Sequence, residues 1–296
     1  MSRSASLIRV RWPIMAWMYS RAGSWSGMGV SFHRQLRGSY AAAPARKSGR
    51  GRILFHEKAA RPFGGAEAEE DMATRVRGSA SLKVLFIGNS FTARNDLPGL
   101  IARLAAARGK TLEHRLISAG GASLRTHWNA GEALKTIRAG HHDHVVLQEQ
   151  STLPVKNATR MHENVRLFDE AIKAAGARAL LYMTWARRNV PESQQAITDA
   201  YTNISLELGA TVVPVGLAWQ RFLGKHDQPV LHDKDQSHPT LAGSFLAACV
   251  FLAVLFGESP VGLGGEVDGL SEKELALLQK VAWQTCSSTA RRDPRA

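Results

Sequence analysis

The chain has 296 residues, enough to bury a sizeable core in one large domain or two small ones. Hydrophobic residues make up 44% and charged residues 21%, which fits a soluble globular protein. A net charge of +13 suggests a nucleic-acid partner until it is located: residues 1–81 carry 14 Lys+Arg against 5 Asp+Glu, leaving +4 for residues 82–296.

Residues 1–81 are rich in Arg, Ser, Gly and Ala and have no sustained period. The apolar stretch Trp12–Tyr19 is short and broken by Pro13, unlike the core of a secretory signal. The expectation is a disordered basic extension, with Met72 as an alternative start and a cytoplasmic location.

From residue 82 the pattern becomes regular. Apolar runs of strand type occupy 83–88, 112–117, 144–149, 178–183 and 211–215, alternating with helical stretches at 97–108, 123–139, 160–175 and 192–208. Strand followed by helix, repeated, predicts an α/β fold: a five-stranded parallel sheet in a three-layer α/β/α sandwich. Gly109, Gly140, Gly176 and Gly209 fall near helix ends, where left-handed caps are expected. A short helix is predicted over 216–223, then a polar loop over 224–238. An apolar helix follows over 240–256, its run Phe245–Phe256 of core-helix size rather than a membrane span. The last helix, 271–283, opens on Ser271-Glu272-Lys273-Glu274, a capping box, and carries the apolar stripe Leu275, Leu278, Ala282 and Trp283. One domain is expected over 82–287, with a disordered tail over 288–296. Cys249 and Cys286 make neither a disulfide framework nor a zinc spacing.

Two stretches carry chemistry. Lys83–Thr92 reads as a buried parallel strand that ends in Gly88-Asn89-Ser90, and ligands of open α/β sheets bind beyond such strand ends. Ser90 is therefore a candidate nucleophile, or else a loop serine that satisfies a helix terminus. Far along the chain, Asp235 and His238 stand three residues apart in a polar loop before a helix. That spacing lets a carboxylate reach an imidazole within one turn, as serine hydrolysis requires of its base and orienting acid. His232 and Asp233, just upstream, are rivals for those roles.

Gly88-Asn89-Ser90-Phe91 together with Asp235-Gln236-Ser237-His238-Pro239 resembles the SGNH/GDSL hydrolase family, and the resemblance covers about 82–257. It implies a flavodoxin-like serine esterase in which Ser90 matches the nucleophile, His238 the general base and Asp235 the orienting acid. It also matches Gly121, in Ser118-Ala119-Gly120-Gly121-Ala122-Ser123, to the glycine whose backbone N–H serves the oxyanion hole beside that of Ser90. Two departures stand out. Asn89 replaces the family's usual Asp before the nucleophile. The third strand ends in Gln148-Glu149-Gln150-Ser151 where the family usually has Gly-x-Asn-Asp. Gln150 is the candidate substitute for the missing Asn, with Gln148 behind it. The resemblance implies hydrolysis of small acyl or acetyl esters, including those on carbohydrate, with no cofactor or metal. The partner is then a small-molecule ester, with no nucleic acid expected for the folded domain and no membrane span.

Asn89, Trp185 and Arg187 are candidate substrate-loop residues; an aromatic beside Arg187 and Arg188 suits a sugar or an anionic acyl group as well as ordinary loop packing. His141-His142-Asp143-His144 reads as a solvated loop rather than a metal site, because neighbours on a strand point to opposite faces. Glu149 reads as a loop anchor or a second acid. The Gly88–Thr92 turn lacks the glycine spacing of nucleotide-binding loops. Two alternatives to the esterase remain: a catalytically silent binding module, and nucleic-acid binding through the basic extension.

Overall fold

The computed structural model describes residues 81–264 and 267–290; of the extension expected over 1–81 only Ser81 is among them, as the first residue of a strand, and residues 1–80, with the Met72 start, and 291–296 lie outside them. Strands β1 (Ser81–Gly88), β2 (Thr111–Ser118), β3 (His144–Leu147), β4 (Arg178–Tyr182) and β5 (Thr211–Val213) form one sheet. All its pairings are parallel, and the order is β2-β1-β3-β4-β5, the flavodoxin-like arrangement. The helices are α1 (Ser90–Ala93), α2 (Leu97–Ala106), α3 (Leu124–Ala130), α4 (Glu132–Arg138), α5 (Leu153–Lys156), α6 (Ala158–Ala174), α7 (Gln194–Leu208), α8 (Val215–Leu223), α9 (Leu241–Phe256) and α10 (Glu272–Ala290).

The continuous apolar character of β1 has a direct cause. Successive side chains face opposite sides of a strand. Val84 and Phe86 pack into one layer with α2, α8, α9 and α10, whereas Leu85 and Ile87 pack into the other with α3, α4, α6 and α7. Helices cover both faces, so neither face tolerates polar residues. Helix α9 is buried around nearly its whole circumference, which explains an apolar run without a helical stripe. Among the described residues, no helix is long and apolar enough to cross a membrane.

Local chemistry also accounts for the differences from expectation. The helix predicted over 123–139 is two, because Gly131 (φ 79°) takes a left-handed cap and its N–H donates to the carbonyls of His127 and Trp128. Two single-turn helices, α1 and α5, follow β1 and β3. The capping box at Ser271 forms, its N–H donating to Glu274 Oε2 at 2.8 Å. Helix α10 continues to Ala290, so residues 288–290 are helical rather than part of the expected tail. Ser288 there accepts a hydrogen bond from Arg221 Nη2 at 3.1 Å.

The sheet order places the candidate site. After β1 the chain turns outward to β2, and after β3 it turns the other way to β4. The loops at the C-terminal ends of β1 and β3 thus diverge and leave a crevice between them.

Candidate active site

At the end of β1, the turn that carries Ser90 is held from beneath. Asn89 caps α1, its Oδ1 accepting from the Phe91 N–H at 3.1 Å, while its Nδ2 donates to the Ala122 carbonyl at 3.0 Å. The Asn89 N–H and the Thr92 hydroxyl both donate to Gln148 Oε1, at 2.8 and 3.0 Å. Gly88 makes this approach feasible, since a Cβ there would stand 2.5 Å from Thr92 Oγ1 and 2.6 Å from Gln148 Oε1. Asn89 is 3% exposed with both ends of its amide engaged. It supports the turn from a buried position rather than standing on an exposed loop surface.

The loop over 232–239 brings up the second half of the site. An isolated antiparallel bridge, His232 to Pro239, closes it, and the Asp233 N–H donates to the His238 carbonyl at 2.8 Å. Within it Asp235 folds a tight turn: its Oδ1 accepts from the N–H groups of Ser237 (3.0 Å) and His238 (2.9 Å). Its Oδ2 accepts from His238 Nδ1. A carboxylate only accepts, so Nδ1 carries the proton and Nε2 of the neutral ring is left as an acceptor. Ser90 Oγ lies 2.7 Å from that Nε2, across 148 residues of sequence. The hydrogen bond from the His238 ring, joined by the two backbone donors, holds the Asp235 carboxyl well below the usual carboxylate range.

An aromatic stack underlies the histidine. Phe91 meets the His238 ring edge-on at 5.3 Å and stacks on Trp185 at 4.8 Å, which in turn stacks on Trp219 at 3.8 Å. The Trp185 indole N–H donates to the Ser237 carbonyl at 3.0 Å. Trp185 is only 2% exposed, so this substrate-loop candidate serves as packing under the Asp–His loop. Arg187, by contrast, is exposed.

The three expected oxyanion donors differ in surroundings. Ser90 opens α1, and Gly121 sits exposed in the turn after β2 at φ 66°. The backbone N–H groups of both make no hydrogen bond among the described residues. Gln150 uses its Oε1 to cap α5, accepting from Thr152 N (2.9 Å), Thr152 Oγ1 (2.9 Å) and Leu153 N (3.1 Å). Its Nε2 is unengaged among the described residues. The reserve candidate, Gln148, is fully buried, and its Nε2 donates to the Glu149 carbonyl at 2.6 Å. Its amide is consumed in holding the Ser90 turn.

Glu149 anchors all of this from within. Its carboxyl, 1% exposed, accepts from the N–H groups of Leu124 (3.0 Å) and Gln150 (2.7 Å) and from Asn164 Nδ2 (2.9 Å). Burial outweighs these bonds and raises its pKa. Asn164 and His127 are supporting residues that the sequence reading did not single out. His127, 5% exposed, donates from Nε2 to the Gly88 carbonyl at 2.7 Å, and Arg125 donates to Asn164 Oδ1 at 3.0 Å. A signal existed for Asn164: it shares the helical face of Met161, Val165 and Phe168, where a polar residue needs a buried partner.

The rival pair is engaged elsewhere. His232 is buried, donates from Nε2 to the Ala186 carbonyl at 3.0 Å and is kept neutral chiefly by burial; Asp233 pairs with Arg94 at 2.5 Å. At the start of β3, Asp143 accepts from the Lys83 N–H at 2.7 Å, and no group of side chains suited to a metal ion occurs among the described residues.

No protein-family model matches the chain, and no curated protein sequence does. Solved structures do. A DUF4886 family protein from Bacteroides uniformis matches with a TM-score of 0.56 at 19% identity, over 71% of this chain and 96% of that one, a likeness of fold. A protein assigned to the SGNH hydrolases, from Slackia heliotrinireducens, is 28% identical with a TM-score of 0.52, over 59% of this chain and 99% of its own. With the sheet order and the strand-end loops as described, the chain has a fold similar to that of the SGNH hydrolases.

Proposed function

We propose that the protein is a serine esterase that cleaves small acyl or acetyl esters, including those on carbohydrate, through Ser90, His238 and Asp235. The observation that carries this reading is the 2.7 Å approach of Ser90 Oγ to His238 Nε2, with Asp235 on the opposite ring nitrogen. In the proposed reaction Ser90 Oγ attacks the ester carbonyl carbon while its proton passes to Nε2. Asp235 keeps Nδ1 protonated and offsets the charge of the imidazolium that forms. The oxyanion is received by the backbone N–H groups of Ser90 and Gly121 and by Gln150 Nε2, three donors with no other hydrogen bond among the described residues. His238 then gives its proton to the alcohol oxygen as the ester C–O bond breaks. Water, deprotonated by the same Nε2, attacks the acyl-enzyme and releases the acid.

The test is hydrolysis of p-nitrophenyl acetate by the full chain beside its Ser90→Ala variant. Turnover by the wild type, falling to the buffer blank in Ser90→Ala, is the expected result. If wild type and variant both match the blank with acetyl and longer acyl esters, the esterase reading fails and the fold is serving as a binding module.

A further inference from the structure

A cavity of about 310 Å³ lies beyond the aromatic stack, bounded by the loop after β4, the approach to α7 and the C-terminal half of α8. Its walls are apolar, with Trp185, Trp219, Pro191 and Leu223, and its rim carries Arg187 and Arg188. No carboxylate lines it. Neither guanidinium makes an ion pair or side-chain hydrogen bond among the described residues, whereas Arg94 and Arg166 each hold a carboxylate. The Trp219 indole N–H is buried and likewise without an acceptor among the described residues, while that of Trp185 is satisfied by Ser237. Ser90 and His238 do not line the cavity; Phe91 touches His238 and stacks on Trp185.

We propose that this cavity binds a small carboxylic acid with an apolar, ring-sized body. Its volume falls at the lower end of ligand pockets, about 300–1,000 Å³, so it suits one ring and a short side arm. Pro191 and Leu223 offer the accessible apolar contact, and the buried Trp185 and Trp219 line the cavity from within the protein. Two adjacent unpaired guanidiniums favour a carboxylate, which a planar fork can grip through both oxygens. The cavity wall is also tied to the loop that carries Asp235 and His238. Arg188 N–H donates to the Gln236 carbonyl at 2.9 Å, Trp185 Nε1 to that of Ser237 at 3.0 Å, and His232 Nε2 to that of Ala186 at 3.0 Å. An acid seated there braces the Asp–His loop from behind.

The proposal is tested by binding, so it stands or falls separately from the esterase reading. Phenylacetate is titrated into the full chain, its Ser90→Ala variant and an Arg187→Ala/Arg188→Ala double variant, followed by tryptophan fluorescence and calorimetry. Both arginines are exposed, and matching circular dichroism verifies that the double variant is folded. Expected are saturable one-to-one binding, equal affinity in Ser90→Ala, and a loss of about tenfold or more in the double variant. Phenylacetamide, without the charge, and acetate, without the ring, bind at least about tenfold more weakly. Absence of saturable binding, an unchanged double variant, or acetate binding as tightly as phenylacetate overturns the proposal.

Discussion

Two carboxylates at the candidate site, Asp235 and Glu149, each accept three hydrogen bonds, yet their acidities move in opposite directions. Asp235 is half-exposed and faces an imidazole that can take up positive charge, so its charged form is favoured. Glu149 is sealed between α3, α6 and the end of β3, and three neutral donors do not offset the loss of water. The number of hydrogen bonds thus says little about a carboxyl's role; the charge of its partner and its access to water say more. On the proposed reading Asp235 acts on a side chain that reacts, whereas Glu149 fixes the backbone around it.

Substitutions at four positions sharpen or break that contrast. The largest effect is expected for Asp235→Asn, which keeps a group of the same shape but presents an amide to Nδ1 and favours the wrong histidine tautomer. Turnover of p-nitrophenyl acetate should fall about 10⁴-fold with little change in the urea midpoint. A smaller loss than tenfold would detach Asp235 from the chemistry.

Glu149→Ala should act on the fold first. It orphans Leu124 N–H, Gln150 N–H and the Asn164 amide, at a cost of about 2–3 kcal/mol in urea unfolding. The raised pKa of Glu149 adds a sign. Stability supplied by a carboxyl with a raised folded pKa is complete below the ordinary carboxylate value and is lost as pH rises through the folded value. Wild-type stability should therefore decline with rising pH relative to Glu149→Gln over that window, and parallel curves would contradict the buried-carboxyl account. The lowered value at Asp235 works in reverse, its contribution persisting above the ordinary carboxylate value and fading only in strong acid.

Gln150→Ala removes one proposed oxyanion donor and the acceptor that caps α5. Its kcat is expected to drop about 10²–10³-fold, roughly 2.7–4 kcal/mol, with KM almost unchanged. A rise in KM alone would assign Gln150 to ground-state binding. Asp233→Asn, breaking an ion pair with Arg94 whose partners are 40% and 42% exposed, should scarcely move the urea midpoint and leave kcat within a few-fold.

What the sequence made legible divides along the same line. Ser90 and the Asp235–His238 pair sit in short local signatures, and β1 announces its burial through an unbroken apolar run. Gln148 was read only as a reserve donor, because its partners, Asn89 N–H and Thr92, lie more than fifty residues away and leave no local trace. Trp185 next to arginines looked like a ligand face, and only tertiary packing reveals two rings pressed against it. Helix α10 outran its prediction because Ser and Thr are weak helix formers, and the bond from Arg221 to Ser288 is invisible to propensity.

The hydrogen bonds of the two His238 ring nitrogens span very different lengths of chain: three residues to Asp235, and 148 to Ser90. The first closes almost at once in any folding sequence, whereas the second waits for β1 and the segment after β5 to reach one edge of the same sheet. On the proposed reading, ester turnover becomes a stopwatch for refolding. A chain whose secondary structure has returned but whose first strand has not docked would look nearly native by circular dichroism and remain silent towards p-nitrophenyl acetate.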